Sequence, residues 1–348
     1  MHGEFKVQGG KLVVVDLDVV ENRLANITLS GDFFLEPEEA LGHMSQALES
    51  MPADAPVNDY EEAVEKARGD AVMVGFDPRS IVLAVLRALG RSTAWSDHAF
   101  ELVDTGKQHP AMQMALDEVI ARQVGDGRRP PTLRVWEWAS NAVIIGSFQS
   151  VANEVDLEAA QRHDTTVVRR ISGGGAMFVE PGNTITYSLY VPATLVEGMS
   201  FVDSYEFLDR WVIQAFHDLG VGASYEPIND IVSPGGKIGG AAQKRLANGA
   251  VLHHVTMSYD MDAAKMLDIL RIGREKLSDK GHISAAKRVD PIRSQTGLSR
   301  DEVIDSMLGS FETRYGLDRV ELDETTRNEA LKLAASKFES AEWLHRVP

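Results

Sequence analysis

The chain has 348 residues, 44% of them hydrophobic and 25% charged, with a formal net charge of −17. This length exceeds what one core usually serves, so we expect two domains. The acidic balance argues against a protein that coats nucleic acid, and the lack of a run of about 18 apolar residues argues against a membrane span. Because the chain has no cysteine, it offers no disulfide, thiolate ligand or cysteine nucleophile. The first residues lack the layout of a signal peptide, so we expect a cytoplasmic location.

The first 92 residues have the pattern of a small α+β domain. Alternating apolar residues follow the turn signal Gly9-Gly10, and prolines and glycines mark the ends of apolar helical runs. Arg91 to Ser96 reads as a junction, which gives predicted domains at 1–92 and 97–348. The predicted elements are strands at 11–18 and 24–30, helices at 37–48 and 78–89, and a loop at 51–57.

Beyond the junction, helical and strand-like segments alternate, with turn signals between them. The residues from 324 to 345 are predicted to form one charged amphipathic helix. The other predictions are helices at 110–123, 205–219 and 263–270, and strands at 133–138, 142–146, 166–170, 184–190 and 249–257.

The densest chemical signal is the block from Arg169 to Ala176, in which a predicted strand delivers two arginines into three glycines. Glycine lets backbone N–H groups approach an anion closely, and the planar fork of arginine suits phosphate oxygens. The block lacks the Lys-Ser/Thr of a P-loop and the following helix of a dinucleotide fingerprint. A tight turn with surface arginines is the alternative, and the block alone leaves both interpretations open.

A second signal is Lys237, which lies between two glycine pairs downstream of Asn229-Asp230. A mobile loop of this kind would place an ammonium over charge that develops on a phosphate or acyl oxygen. The alternative is a flexible, exposed hairpin with a solvated lysine, and Lys244 and Arg245 are rival cations.

Two weaker signals accompany these motifs. His253-His254 lies on a predicted strand, where neighbours point to opposite faces, so one of the pair is a candidate for a pocket and the other for solvent. A tryptophan, a glycine and a glutamine at 138, 146 and 149 lie around a predicted strand and turn, but tryptophan is usually a core residue.

Together these motifs resemble the lipoate-protein ligase family over about residues 98–300. Arg-Arg-x-Ser-Gly-Gly-Gly-Ala, Gly182-Asn183, Asn229-Asp230 and the Lys237 segment occur in the order and approximate spacing of the family. Trp138, Ile145-Gly146 and Gln149 match its upstream strand and turn. The triple-glycine block and the lysine segment together are specific, whereas either one alone is not.

The resemblance implies an α+β fold with a central mixed sheet, shared with biotin-protein ligases. It implies that lipoate attacks the α-phosphate of Mg-ATP, and that a protein lysine then attacks the resulting lipoyl-adenylate. The implied partners are lipoyl domains of 2-oxoacid dehydrogenases or the glycine-cleavage H protein. Lys237 is the implied catalytic residue, and Asp230 the implied Mg²⁺ contact. The implied substrate and adenylate contacts are Trp138, Gln149, Arg170, Ser172, Gly173, Gly174, Gly175, Ala176, Asn183, Asn229, Asp230, Gly239 and Ala241.

Residues 1–92 resemble the accessory domain of the same family, which is a separate subunit in some archaea. The resemblance implies that this domain supports adenylate formation. Here it precedes the catalytic domain, whereas in familiar bacterial single-chain enzymes it follows.

After the triple glycine the family usually continues with x-aromatic-His-Asp, but this chain has Met177-Phe178-Val179-Glu180. The resemblance therefore implies that one polar ligand contact is missing at Val179. Octanoyltransferases of this fold use a cysteine nucleophile, which this chain lacks. Biotin-protein ligases carry a basic glycine-arginine loop, which is also absent. The remaining alternative to an active ligase is a degenerate relative that binds a lipoyl domain or a small acid without catalysis.

Overall fold

The computed structural model describes residues 1–7, 9–271 and 289–348. Residues 272–288 belong to the span 98–300 that resembles the ligase family, but they lie outside the described residues. The chain forms two compact units. Met1–Asp97 and Thr194–Ser200 make the first; His98–Ala193 and Phe201–Pro348 make the second. Thr194–Ser200 interrupts the second unit in sequence, a feature that the sequence did not predict. Within the described ranges, no helix is both long and apolar enough to cross a membrane.

The first unit pairs an antiparallel sheet, β1-β2-β3, with three helices. Valines and leucines at alternate positions of β2 and β3 are buried against the helices. Helix α3 begins at Pro78 because Asp77 and Ser80 form a capping box in front of its apolar face. The elements are β1 (His2–Lys6), β2 (Leu12–Val20), β3 (Arg23–Gly31), β4 (Phe34–Glu36), α1 (Ala40–Leu48), α2 (Val57–Arg68), β5 (Val72–Val74) and α3 (Pro78–Ala88).

One prediction for this unit was wrong in part, and one helix was missed. Helix α1 begins at Ala40 instead of residue 37, because the amides of residues 40–42 bond three residues back, as in a 3₁₀ turn. Helix α2 was not predicted at all. Only Tyr60 and Val64 of this helix are buried, so its charged surface hides the helical spacing.

The second unit is built on a mixed sheet in the order β13-β14-β15-β16-β12-β8-β6-β17. β6 runs parallel to β8 and β17, and the other pairs along this path are antiparallel. A smaller sheet, β10-β9-β11, carries the triple-glycine segment between β10 and β11. This architecture confirms the predicted α+β fold with a mixed sheet.

Most predicted strands of this unit are present within a few residues. β6 and β17 were not predicted, since they are four-residue parallel strands with little sequence pattern. The predicted C-terminal helix is broken by a π-turn at Ala334–Phe338. The remaining elements are β6 (Glu101–Asp104), β7 (Lys107–Gln108), α4 (Pro110–Gly125), β8 (Thr132–Trp138), β9 (Ala142–Ile145), α5 (Val151–Glu154), α6 (Leu157–Arg162), β10 (Thr166–Arg169), β11 (Met177–Val179), β12 (Thr184–Pro192), α7 (Phe201–Asp218), β13 (Ser224–Glu226), β14 (Asp230–Ser233), β15 (Gly236–Arg245), β16 (Ala250–Ser258), α8 (Ala263–Ile269), α9 (Ile292–Thr296), α10 (Arg300–Tyr315), β17 (Asp318–Glu321), α11 (Glu324–Leu333) and α12 (Ala341–Leu344).

Candidate active site

A cavity of about 440 Å³ in the second unit brings the two predicted motifs together. One part of its wall is polar and includes the glycine segment and strands β14, β15 and β16; another part is apolar and includes helix α8. Residues on this wall include Arg170, Gly175, Ala176, Met177, Phe178, Thr184, Asn229, Asp230, Lys237, Gly239, Gly240, Ala241, His254, Thr256, Met261, Met266 and Leu270.

Arg170 organises the glycine segment from inside the protein. Its side chain is buried, and it donates to the carbonyls of Ile144, Gly173 and Gly175 at 2.6–3.1 Å, and to the Ser172 hydroxyl at 3.0 Å. Burial lowers the pKa of Arg170 to about 10. The fork of Arg170 is therefore bonded to the loop itself. The alternative of surface arginines was wrong, because both arginines are buried, and contact of Arg170 with a bound anion stays a prediction.

The bonds of Arg170 orient the loop amides instead. In a trans peptide the C=O and the following N–H point in opposite directions, so the N–H groups of Gly174 and Ala176 point away from the guanidinium. Neither amide has a hydrogen-bond acceptor among the residues that the structure describes. Gly174 adopts a φ of +90°, which favours glycine. Because Gly175 and Ala176 lie on the cavity wall, the loop offers backbone donors to an anionic oxygen.

Arg169 is also buried, and it connects its own strand to two other segments of backbone, the 146–149 turn and helix α12. It donates to the carbonyls of Gly146, Ser147 and Gln149, and on its other side to those of Trp343 and Leu344. The indole N–H of Trp343 donates in return to the Arg169 carbonyl at 3.0 Å. Helix α12 is thereby fixed beside the glycine segment.

Gly146 and Gln149 shape the turn on which the glycine segment rests. A Cβ at Gly146 would lie 2.1 Å from the carbonyl oxygen of Gly174, so only glycine fits there. The Gln149 side chain accepts from the Gly146 amide at 2.7 Å. Both residues hold the loop and do not line the cavity.

Lys237 lies on a β-strand, so the prediction of a mobile loop at this position was wrong. β15 begins at Gly236 and pairs with β14 on one side and β16 on the other. A bulge opposite Ile231 and Val232 re-aims the lysine, which lies over Gly240. Its ammonium is 2.7 Å from Asp230 Oδ1, and 29% of the side chain is exposed. The lysine is thus held in the cavity wall with part of its side chain exposed.

The glycine pair after Lys237 has two distinct roles. A Cβ at Gly239 would lie 2.7 Å from the Thr256 carbonyl oxygen on β16, so a side chain would break the strand pairing. A Cβ at Gly240 would crowd the lysine itself, at 3.3 Å from Nζ. Asn229 is fixed to the same strand just after this glycine pair, because its side-chain amide donates to the Ala241 carbonyl at 2.6 Å.

A buried polar chain runs from the glycine segment into the core. Ser172 Oγ lies 2.7 Å from His254 Nε2, and His254 Nδ1 lies 2.7 Å from Asp117 Oδ2. Asp117 also accepts from Arg134, Ser188 and Tyr190 at 2.5–2.9 Å. Burial by itself raises the pKa of Asp117, but the hydrogen bond with His254 and the charge of Arg134 hold it below its usual value.

The chain departs from the family pattern at positions 179 and 180, and both residues make contacts within the second unit. Val179 is buried in the hydrophobic core and does not line the cavity. The Glu180 carboxylate accepts from the Asp262 amide at 2.9 Å and from Lys265 Nζ at 2.6 Å. Glu180 therefore anchors the start of helix α8, which contributes Met266 to the apolar wall.

The structure places eight predicted contacts on the cavity wall and six elsewhere. Trp138 is a core residue whose indole N–H bonds Thr186, and the Asn183 carbonyl accepts two amides of the 259–260 turn. Across the described ranges, no group of three or more His, Asp or Glu side chains is placed to hold a metal ion. The wall residues are Arg170, Gly175, Ala176, Asn229, Asp230, Lys237, Gly239 and Ala241; the others are Trp138, Gln149, Ser172, Gly173, Gly174 and Asn183.

Sequence reasoning missed the apolar wall and most of the buried polar chain. Met261 and Met266 carry no local signal, because methionine at helical spacing is usually core. His254 had one signal, since strand alternation predicted that one histidine of the pair would face a pocket. This prediction is confirmed for His254, which lines the cavity. It was wrong for the neighbour, because His253 is buried and bonds Asp209 instead of facing solvent.

The fold and the cavity define a catalytic domain of the biotin/lipoate ligase type. The structure of a bipartite lipoate protein ligase from Thermoplasma acidophilum superposes on this chain with a TM-score of 0.62 at 26% identity. The match covers 72% of this chain and 98% of the Thermoplasma chain. A lipoate-protein ligase A solved with ATP shares the fold, with a TM-score of 0.61 at 23% identity over 71% of this chain and 98% of its own.

The chain belongs to the family described as "Lipoyl protein ligase A/B catalytic domain", which matches residues 109–312. This finding confirms the resemblance predicted from the sequence. An octanoyltransferase LipM of Halalkalibacterium halodurans is 26% identical over 71% of this chain and 99% of its own length. A probable lipoate-protein ligase A of Mycoplasma pneumoniae is 28% identical over 70% of each chain. The family consists of enzymes, and its named relatives include both ligases and octanoyltransferases.

Proposed function

We propose that this protein is an ATP-dependent lipoate-protein ligase. In this role it activates lipoate or octanoate as an acyl-adenylate and transfers the acyl group to a lysine of a lipoyl domain. The observation that carries the proposal is Lys237, which is held by Asp230 in a cavity that has loop amides and an apolar wall. The absence of cysteine supports a ligase over an octanoyltransferase that uses a thioester intermediate.

In the first step, the acid carboxylate attacks the α-phosphate of ATP and pyrophosphate leaves. The Lys237 ammonium lies where it stabilises negative charge on the phosphate and on the acyl carbonyl oxygen. The Ala176 amide donates to a phosphate oxygen, and the apolar wall beside Met261 and Met266 takes the hydrocarbon chain. These groups are positioned before substrate binds, so little reorganisation opposes the reaction.

The nucleotide and its metal fit the residues present. Asp230 is a wall carboxylate beside Lys237, and one carboxylate suits Mg²⁺, which keeps phosphate and water as its other ligands. When bound, Mg²⁺ neutralises phosphate charge. Asn229 fixes the turn before Asp230 through its bond to Ala241, and so holds the carboxylate in place.

The proposed acceptors are lipoyl domains of 2-oxoacid dehydrogenases or the glycine-cleavage H protein, in the cytoplasm. The Thermoplasma ligase is described with its E2 lipoyl domain as part of one archaeal lipoylation system, which supports this partner class. The general charge of −17 gives no attraction to acidic partners, so recognition depends on local contacts.

Acyl transfer is tested directly by mass. Incubation with Mg-ATP, lipoate and an apo lipoyl domain is expected to raise the mass of the domain by one lipoyl group, because Lys237 and the loop amides support both half-reactions. Octanoate and biotin serve as competing acids, and omission of ATP is the control. If none of the three acids modifies the domain, the ligase proposal is wrong.

We also propose that residues 1–92 form an accessory domain that supports adenylate formation. This segment has its own buried core. All residues that line the cavity lie beyond it in the chain, so its removal deletes none of them. A chain without residues 1–92 is expected to lose acid-dependent pyrophosphate exchange more than transfer from preformed lipoyl-adenylate. Rapid-quench measurement of each half-reaction decides this, and equal loss in both would contradict a specific activating role.

A further inference from the structure

Strand β16 carries two neighbouring histidines, each of which pairs with an aspartate on a helix. His254 Nδ1 is 2.7 Å from Asp117 on helix α4, and His253 Nε2 is 2.6 Å from Asp209 on helix α7. All four side chains are nearly or fully buried. Neighbouring strand residues point to opposite faces, so only one pair can face the cavity. That pair is His254–Asp117, since His254 lines the wall.

The hydrogen bonds fix which nitrogen of His254 is free to act as a base. An ionised carboxylate only accepts, so Nδ1 carries the hydrogen and donates to Asp117. Nε2 then presents its lone pair, which accepts from the Ser172 hydroxyl. Asp117 is itself held by Arg134, Ser188 and Tyr190, so the imidazole cannot turn freely. This is the arrangement of an oriented general base.

Burial favours the neutral form of the His254 imidazole, which lies near Lys237 in the sheet. Burial lowers the pKa of His254, and nearby Arg170 and His253 lower it further, against the raising effect of Asp117. His254 pairs with Ala242 across the strands, whereas Lys237 lies over Gly240. The two positions on β15 are two residues apart, which is roughly 7 Å along the strand. Among the described wall residues, His254 is the only imidazole.

We propose that His254 is the general base of the transfer step, with Asp117 as its positioning residue; this inference rests on the proposed ligase function. The acceptor lysine arrives as an ammonium and must lose a proton before it can attack. That ammonium takes the place of the Ser172 hydroxyl as donor to Nε2, and one proton passes to the imidazole. The amine nitrogen then forms a bond to the acyl carbon, the acyl carbon–phosphate oxygen bond breaks, and AMP leaves with the electron pair. The second proton of the amine goes to water.

The test separates the two half-reactions in the full-length protein. His254→Asn retains an N–H donor near the position of Nδ1 but has no basic nitrogen. We expect single-turnover transfer from preformed octanoyl-adenylate to an apo lipoyl domain to fall by about 10²- to 10⁴-fold. Acid-dependent pyrophosphate exchange is expected to stay within severalfold of the unsubstituted protein, which also shows that the variant is folded.

His253→Gln is the matched control, because it alters the other buried pair and retains a donor near Nε2. It is expected to leave both half-reactions nearly unchanged. The inference is overturned if His254→Asn transfers normally, or if it loses both half-reactions together. Failure of the unsubstituted protein to form an adenylate would contradict the proposed function alone, since transfer from preformed octanoyl-adenylate is measured independently.

Discussion

Lys237→Ala is expected to reduce acid-dependent pyrophosphate exchange by at least about 10²- to 10³-fold, the loss typical when one preorganised charge-stabilising donor is removed. The substitution also removes the positive charge beside Asp230 on the cavity wall, which weakens the attraction of the cavity for an anionic nucleotide. Both effects oppose adenylate formation. Because the ion pair is partly exposed, the free energy of unfolding should change by only about 1 kcal/mol.

Lys244→Ala is the matched control for this prediction. Lys244 lies on the same strand but does not line the cavity, and the sequence had made it a rival cation. Pyrophosphate exchange should survive this change, and thermal unfolding of both variants should be similar. If Lys237→Ala retains normal exchange, Lys237 has no catalytic role.

Arg170→Met is expected to cause the largest loss of stability. It removes the donors that hold the carbonyls of Ile144, Gly173 and Gly175, and each buried polar group left without a partner costs about 1–3 kcal/mol. We therefore expect urea denaturation to show a fall of about 3–5 kcal/mol in the free energy of unfolding. The glycine segment also loses the bonds that aim its amides, so calorimetry at a temperature where the variant is folded should show much weaker ATP binding.

Arg162→Met provides the comparison. Arg162 is 58% exposed and pairs with Asp268 at the surface, so its loss should change stability by under about 1 kcal/mol and leave ATP binding intact. The loss of stability in Arg170→Lys is expected to lie between those of Arg170→Met and Arg162→Met, because a single ammonium cannot replace a planar fork with several donors. An Arg170→Met variant as stable as Arg162→Met would show that the loop does not depend on this arginine.

The sequence predicted the parts of the site that have local signals. The glycine block, Asn229-Asp230 and Lys237 were found because unusual residues lie close together in the chain. The alternation rule also indicated that one histidine of the 253–254 pair faces a pocket, without choosing which. Strands such as β10 and β12 were predicted within a few residues, since both are rich in β-branched residues.

What the sequence did not reveal depends on pairing between distant segments. Glycines around Lys237 favour a loop locally, but pairing with β14 from Gly236 and with β16 from Gly239 makes the segment a strand. The arginines of the glycine block looked exposed because their acceptors are backbone carbonyls, which leave no trace in the residue pattern. Asp117 could not be matched with His254 either, because 137 residues separate them in the chain.

The docking of helix α12 has a practical consequence for anyone who prepares the protein. The carbonyls of Trp343 and Leu344 satisfy one side of the buried Arg169, whose other side holds the turn beneath the glycine segment. Proteolytic cleavage before Trp343 would therefore leave every catalytic candidate in the sequence and yet loosen the glycine segment. Low activity in a purified sample should be checked first by intact mass, before it is assigned to a missing partner or the wrong acid.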